Sequence, residues 1–165
     1  QLASIGVQSG LLARQVFGRR PRVAMLSFST KGSARTPSTE KVAGAVTLAR
    51  HIAEQAGADM SIDGEMQADA ALDPVFAQMK MPESHVAGKA NVLIFPDLNS
   101  GNMAVKFVQL FSDCQTYGQI LMGFTRPAVD IPRGVSSENM AAMAAIVGLQ
   151  AVEYRKLYPP PDTLD

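Results

Sequence analysis

The chain has 165 residues and a mass of 17.6 kDa, enough for one domain with its own core and too little for two full-sized ones. Hydrophobic residues make up 47% and charged residues only 18%, which excludes an intrinsically disordered chain and predicts surface that meets another protein instead of water. Fifteen basic and fifteen acidic side chains leave a formal net charge of zero, so no global field holds nucleic acid or an anionic membrane. Any anion must be gripped locally.

Leu2, Ile5, Leu11, Leu12 and Val16 form a helical-looking pattern from the first residues, and a start at Gln1 inside such a pattern is expected of part of a longer polypeptide. Arg22 to Phe28 reads as a strand and 29–37 as a polar loop. Ser38 to Gln55 then reads as a helix with Val42, Val46, Ala49 and Ile52 on one face; Thr36 and Pro37 suit its N-cap and first position, and Gly57 its stop. Met60 to Ile62 is a short strand, Asp63-Gly64-Glu65 a turn, and Asp69 to Met79 a helix. Ala90 to Phe95 is the clearest buried strand; Pro96-Asp97 breaks it, and a helix follows from Ser100 to Phe111.

Gln119 to Met122 reads as a further strand, ended by Gly123 and a turn at Thr125-Arg126-Pro127. A last helix runs from Ser136 to about Tyr154, with Met140, Met143, Ala144, Val147 and Ala151 at helical spacing. The alternation predicts an α/β fold, a mostly parallel sheet sandwiched by helices, in one domain over 1–157 with an extended tail over 158–165. Met140 to Leu149, the longest apolar run, is about half the length of a bilayer span, so no transmembrane helix is expected. The single Cys114 excludes an internal disulfide and fits a reducing cytoplasm.

In open parallel sheets ligands bind beyond the carboxyl ends of the strands, so the loops after strands carry the functional information. Ser29, Thr30, Lys31, Gly32 and Ser33 form a hydroxyl-rich loop with one cation and a glycine that lets backbone N–H groups approach a phosphate; a solvated Ser/Thr loop is the competing reading. Neither a Walker A loop nor a Gly-x-Gly-x-x-Gly fingerprint is present. The second loop, 96–102, contains Asn99 and Asn102, residue types that also cap helices and turns. In the third, Arg133, Gly134 and Ser136 precede the last helix, where a guanidinium and free N–H groups together suit an anion. Asp63, Glu65 and Asp69 cluster without a histidine at ligand spacing, and His51, His85 and Cys114 sit in no catalytic signature, so no metal site is assigned.

Three phrases together are more specific than any composition: VAMLSFSTKGSA over 23–34, DGEMQADAA over 63–71 and AGKANVLIFPDLNSGN over 87–102. In this order they resemble the second half of the phosphate acetyltransferase (phosphotransacetylase) family, from about Ile5 to Gln150. The resemblance implies a carboxyl-terminal domain, a fold like that of isocitrate and isopropylmalate dehydrogenases, and acetyl transfer between acetyl phosphate and coenzyme A in a cleft between two α/β domains. It further implies a homodimer, no metal, and no permanently bound cofactor. The family's Ser-Arg-Gly-Cys-Ser motif falls on Pro132, Arg133, Gly134, Val135 and Ser136, and its following aspartate on Asn139. Arg133 thus takes the part of phosphate clamp, and Glu138, beside Asn139, or a group on the family's other domain, that of base for the thiol. Ser29 to Ser33, Asn99, Asn102, Gly134 and Ser136 are then the candidate substrate contacts. The loss of the motif's first serine and of the aspartate keeps a second expectation open, a non-catalytic acetyl-coenzyme-A-sensing domain similar to the carboxyl end of NADP-dependent malic enzymes. The intact Ser-Thr-Lys-Gly-Ser loop favours the acyltransferase.

Overall fold

The computed structural model describes residues 1–124 and 126–157; the expected tail over 158–165, and Thr125 of the expected turn, lie outside the described residues. The chain divides into two compact units, Gln1–Phe107 and Val108–Asp165.

In the first unit, β1 (Arg22–Leu26), β2 (Ser61–Met66) and β3 (Val92–Ile94) form a parallel sheet of order β2-β1-β3. The central strand β1 is buried from Val23 to Leu26, and its period of two sorts the core. Val23 and Met25 pack with Ala3 and Val7 of α1 (Leu2–Phe17) and with Val42, Val46 and Ala49 of α2 (Pro37–Gln55). Ala24 and Leu26 face the other way, onto Ala70 and Ala71 of α3 (Ala68–Leu72), Ala77 of α4 (Pro74–Lys80), and Met81 and Val86. Full burial of a side chain such as Val23 or Met25 contributes about 1.5 to 3 kcal/mol. The start of α2 is as the sequence predicts. Thr36 and Thr39 form a reciprocal capping box and Pro37 opens the helix.

The helix expected at the start of the chain is present as α1; its buried stripe is Ala3, Gly6, Val7 and Gly10, whose two glycines let it close onto Met25 and Met60, while Ile5 and Leu11 are exposed. Other local expectations are corrected. β1 ends at Leu26 and Phe28 is exposed. Asp63-Gly64-Glu65 is no turn but the middle of β2, paired with β1. The helix expected over 69–79 is split at Asp73-Pro74: proline has no N–H to donate, and Asp73 instead caps α4 by accepting the Val75 N–H at 2.7 Å. β3 spans three residues and only Ile94 is buried, since it lies at an edge of the sheet; β1 is the fully buried strand. α5 (Leu98–Phe111) follows, and none of its fourteen residues is buried.

In the second unit, β4 (Ile120–Leu121) and β5 (Ala128–Val129) pair antiparallel, the latter unanticipated. Reciprocal backbone bonds between Gln119 and Asp130 extend the pair. The last helix, α6 (Ser137–Leu157), buries Met143, and Ser136 caps it by accepting the Asn139 N–H at 3.2 Å. Among the described residues, no helix is long and apolar enough to cross a membrane.

Gly64 sets how closely β2 approaches β1. Its φ is +145°, and a Cβ there would stand 2.5 Å from the Met25 carbonyl oxygen. Gly64→Ala is expected to destabilise the chain by about 1 to 3 kcal/mol, the usual range for overpacking, read as a lower urea midpoint. An unchanged midpoint would mean that the two strands separate without penalty.

Candidate functional site

The loop after β1 turns through two left-handed residues, Lys31 at φ 48° and Gly32 at φ 77°. Its donors face inward. The Gly32 N–H donates to Glu65 Oε1 at 2.6 Å, the Ser29 hydroxyl lies 3.1 Å from the same oxygen, and the Lys31 N–H donates to the Glu65 carbonyl at 3.1 Å. The Thr30 N–H donates to Ser33 Oγ, and Thr30 Oγ1 accepts the Gln67 N–H, both at 3.1 Å. Ser29 and Thr30 are buried; Lys31, Gly32 and Ser33 are exposed. The concavity that the sequence reads as a cradle for an external anion therefore holds the protein's own buried carboxylate, Glu65.

Asp63, two residues earlier on β2, is the second buried carboxylate. Its Oδ1 accepts from Lys31 Nζ at 2.7 Å, Arg50 Nη2 at 2.5 Å and the Gly64 N–H at 2.9 Å, and its Oδ2 accepts from the Ser84 hydroxyl at 2.5 Å. Burial pushes the Asp63 carboxyl up, but the hydrogen bonds from Lys31, Ser84 and the Gly64 N–H together outweigh it and hold the group below its ordinary range. Asp69, the third member of the expected carboxylate cluster, instead pairs with Lys80 at 2.7 Å in the first turn of α3. Among the described residues no group of three or more His, Cys, Asp or Glu side chains is arranged to hold a metal ion.

Asn99 and Asn102 are exposed in the first turns of α5. Asp97 receives the Ser100 N–H at 2.9 Å, and this bond, with the Ser100 hydroxyl, lowers its carboxyl. Asn102 also lines a cavity of about 710 Å³ beyond β3, walled by Leu48, Phe95 and Leu98, where Lys41 donates to the Pro96 carbonyl.

In the second unit, Arg133 and Gly134 lie on an exposed turn closed by the Val135 N–H on the Pro132 carbonyl, with Gly134 at φ 81°. Glu138 is exposed in the first turn of α6, where a negative charge suits the helix dipole. The Asn139 side-chain amide donates to the Thr116 carbonyl at 3.5 Å. The motif's Arg133, Gly134, Ser136 and Glu138 thus adjoin one helix start. Sequence reasoning missed Arg50 and Ser84, which donate to Asp63, and Gln67, whose N–H donates to Thr30 of the first loop. For Asp63 and Glu65 a period-two spacing was present, masked by the turn-like Gly64 between them.

A family model described as phosphate acetyl/butaryl transferase matches residues 1–148. The phosphate acetyltransferase of Clostridium acetobutylicum is 45% identical over 151 residues, which are 92% of this chain and 44% of that protein. The Bacillus subtilis phosphate acetyltransferase is 43% identical over 92% of the chain and 45% of its own length. Among solved structures, the EutD phosphotransacetylase from Staphylococcus aureus superimposes with a TM-score of 0.86 at 43% identity, covering 91% of this chain and 45% of that one. A branched-chain phosphotransacylase from Enterococcus faecalis shares the fold, with a TM-score of 0.67 at 20% identity, covering 91% of this chain and 52% of that one. The chain spans less than half the length of the curated relatives it matches.

Asp63 gives the first loop a signature in pH. A carboxyl held low in the folded state contributes stability that is fully present above its unfolded value, near 3.8, and is lost as pH falls through the folded value. Asp63→Asn is therefore expected to lose about 1 to 3 kcal/mol near neutrality and to converge on the parent chain in acid below about pH 3.8. Urea denaturation at pH 7 and pH 3 checks this; an equal deficit at both would remove the charge from the account.

Proposed function

Because the chain belongs to the phosphate acetyl/butaryl transferase family, we propose that residues 1–157 form the carboxyl-terminal domain of an enzyme that transfers an acetyl (acyl) group between acetyl phosphate and coenzyme A. The identity with phosphate acetyltransferases, sustained over almost the whole chain, carries this reading. In the reaction the coenzyme A thiol loses its proton, its sulfur bonds to the acetyl carbonyl carbon, and the bond from that carbon to the phosphate oxygen breaks, releasing phosphate. A thiol of ordinary pKa near 8.5 is mostly protonated at neutral pH and so needs a base, and the leaving phosphate needs cations.

Arg133 is the phosphate clamp in this proposal, aided by the N–H groups at the start of α6, and Gly134 lets the backbone come close. Glu138 is the base, in place of the aspartate that Asn139 replaces. The exposed Lys31, Ser33, Asn99, Asn102 and Ser136 are the further substrate contacts, and Ser29, Thr30 and Gly32, whose polar groups serve Glu65 and the loop itself, act by positioning Lys31 and Ser33. The fold is that of the isocitrate and isopropylmalate dehydrogenases, the protein works in the cytoplasm, and it is a homodimer, for which the unburied α5 offers apolar surface at Leu98, Val105 and Leu110. No metal takes part.

The test uses the longer, two-domain protein. Arg133→Ala should lower kcat/KM for acetyl phosphate by about 10² to 10³, the loss seen on removing one donor at developing negative charge, with no change in thermal midpoint. Glu138→Gln should lower kcat by about 10² to 10⁴, the usual worth of a positioned acid–base group. Unchanged kinetics in either variant would take that residue out of the site. The replaced residues, Pro132 and Asn139, favour a second reading as an acetyl-coenzyme-A sensor. Tight acetyl-coenzyme-A binding without transfer, unrestored by Pro132→Ser with Asn139→Asp, would establish it.

A further inference from the structure

One cation is enough to neutralise Asp63, which is 7% exposed, yet Lys31 and Arg50 both converge on its Oδ1. The second contributes little to stability, because the two side chains are 47% and 53% exposed and each gives up rotamer freedom to be held. Their donors are also not used up. Lys31 donates two ammonium N–H groups, to Asp63 and to the Gly64 carbonyl; Arg50 donates Nε–H to the Ile62 carbonyl and Nη2–H to Asp63. The third ammonium N–H and the Nη1 end of the guanidinium bond to no described residue, and both side chains line a cavity of about 320 Å³ with Asp63, Met81, Pro82, Glu83 and Ser84.

We infer that Lys31 and Arg50, gathered by the buried Asp63 carboxylate, form a subsite for a phosphate group. An ammonium and a guanidinium fixed on one oxygen present a point charge and a planar fork side by side, a combination suited to phosphate oxygens. Asp63 makes the subsite rigid before the ligand arrives, so little ordering remains to be done on binding. Asp63 and Glu83 both line the cavity and oppose an anion; the Asp63 oxygens are taken by Lys31, Arg50 and Ser84, whereas Glu83 adds a second negative charge, so the two acids limit affinity. The subsite stands on its own geometry and rests on the acyltransferase reading only for the source of the phosphate, which is either the acyl phosphate or coenzyme A.

Titration of the 165-residue chain with inorganic phosphate at constant ionic strength, followed by NMR of backbone and arginine side-chain signals, tests it. Saturable shifts are expected at Lys31, Arg50, Gly64 and Ser84, weakened roughly tenfold by Arg50→Met and by Lys31→Met, the loss of one charge-assisted contact. Glu83→Gln should tighten binding. Arg50→Lys keeps an ion pair with Asp63 but not the fork, so it should stay folded and still bind phosphate more weakly than the parent chain. No saturable shift in the folded parent chain, or equal shifts in both methionine variants, overturns the subsite. Displacement of phosphate by coenzyme A and not by dephospho-coenzyme A assigns it to the 3′-phosphate; displacement by acetyl phosphate alone assigns it to the transferred group. Phosphate shifts that persist although the longer protein transfers no acyl group sink the enzymatic reading and keep the subsite. Absent shifts beside intact transfer do the reverse.

Discussion

Two carboxylates buried on one strand govern the first unit. The buried oxygens of Asp63 and Glu65 need hydrogen-bond donors, and several of these come from the loop that leaves β1. That demand bends Lys31 and Gly32 into left-handed conformations, turns the Ser29 hydroxyl inward and joins the end of one strand to its neighbour. The same bonds run on into α2. Ser29 Oγ accepts the Ala34 N–H and the Ala34 carbonyl accepts the Thr39 hydroxyl, so the loop ends where the capping box begins. Gly64 completes the arrangement by letting β2 approach the Met25 carbonyl closely enough for the loop to reach both acids.

What the sequence made legible was whatever depends on residues near one another in the chain. The capping box at Thr36, the buried face of α2 and the α/β alternation all follow from local spacing, and all are present. What failed depends on distant partners. Asp63-Gly64-Glu65 has the composition of a turn, and its pairing with the distant β1 makes it part of a strand. Which face of α1 is buried also depends on distant partners: Gly6 and Gly10 admit Met25 and Met60, and Ile5 and Leu11 stay exposed. The family motifs were readable because they are phrases; the partners that hold them, Arg50 and Ser84, lie outside those phrases and carry no signal of their own.

The candidate contacts share a physical ambiguity. Ser136 reads as an anion ligand and serves as a helix cap; Gly32 reads as part of a phosphate cradle and serves Glu65. Both uses call on the same property, a short polar group or bare N–H at a chain reversal, which is why residue type alone does not separate them. Arg133 is different in kind. It sits exposed on a turn whose own closure is made by its neighbours, Pro132 and Val135, so the backbone there does not depend on its side chain.

The outer side of β2 has a consequence of another sort. A strand at the margin of a sheet normally offers a row of bare carbonyls to which a foreign strand can add, the first step towards exchange between chains or fibrous association. Here the Ile62 and Gly64 carbonyls are already taken by Arg50 and Lys31, and the two long cationic stems stand where an incoming backbone would have to lie. That margin of the sheet is thereby blunted by two cationic side chains, and the short, half-buried β3 forms the other margin.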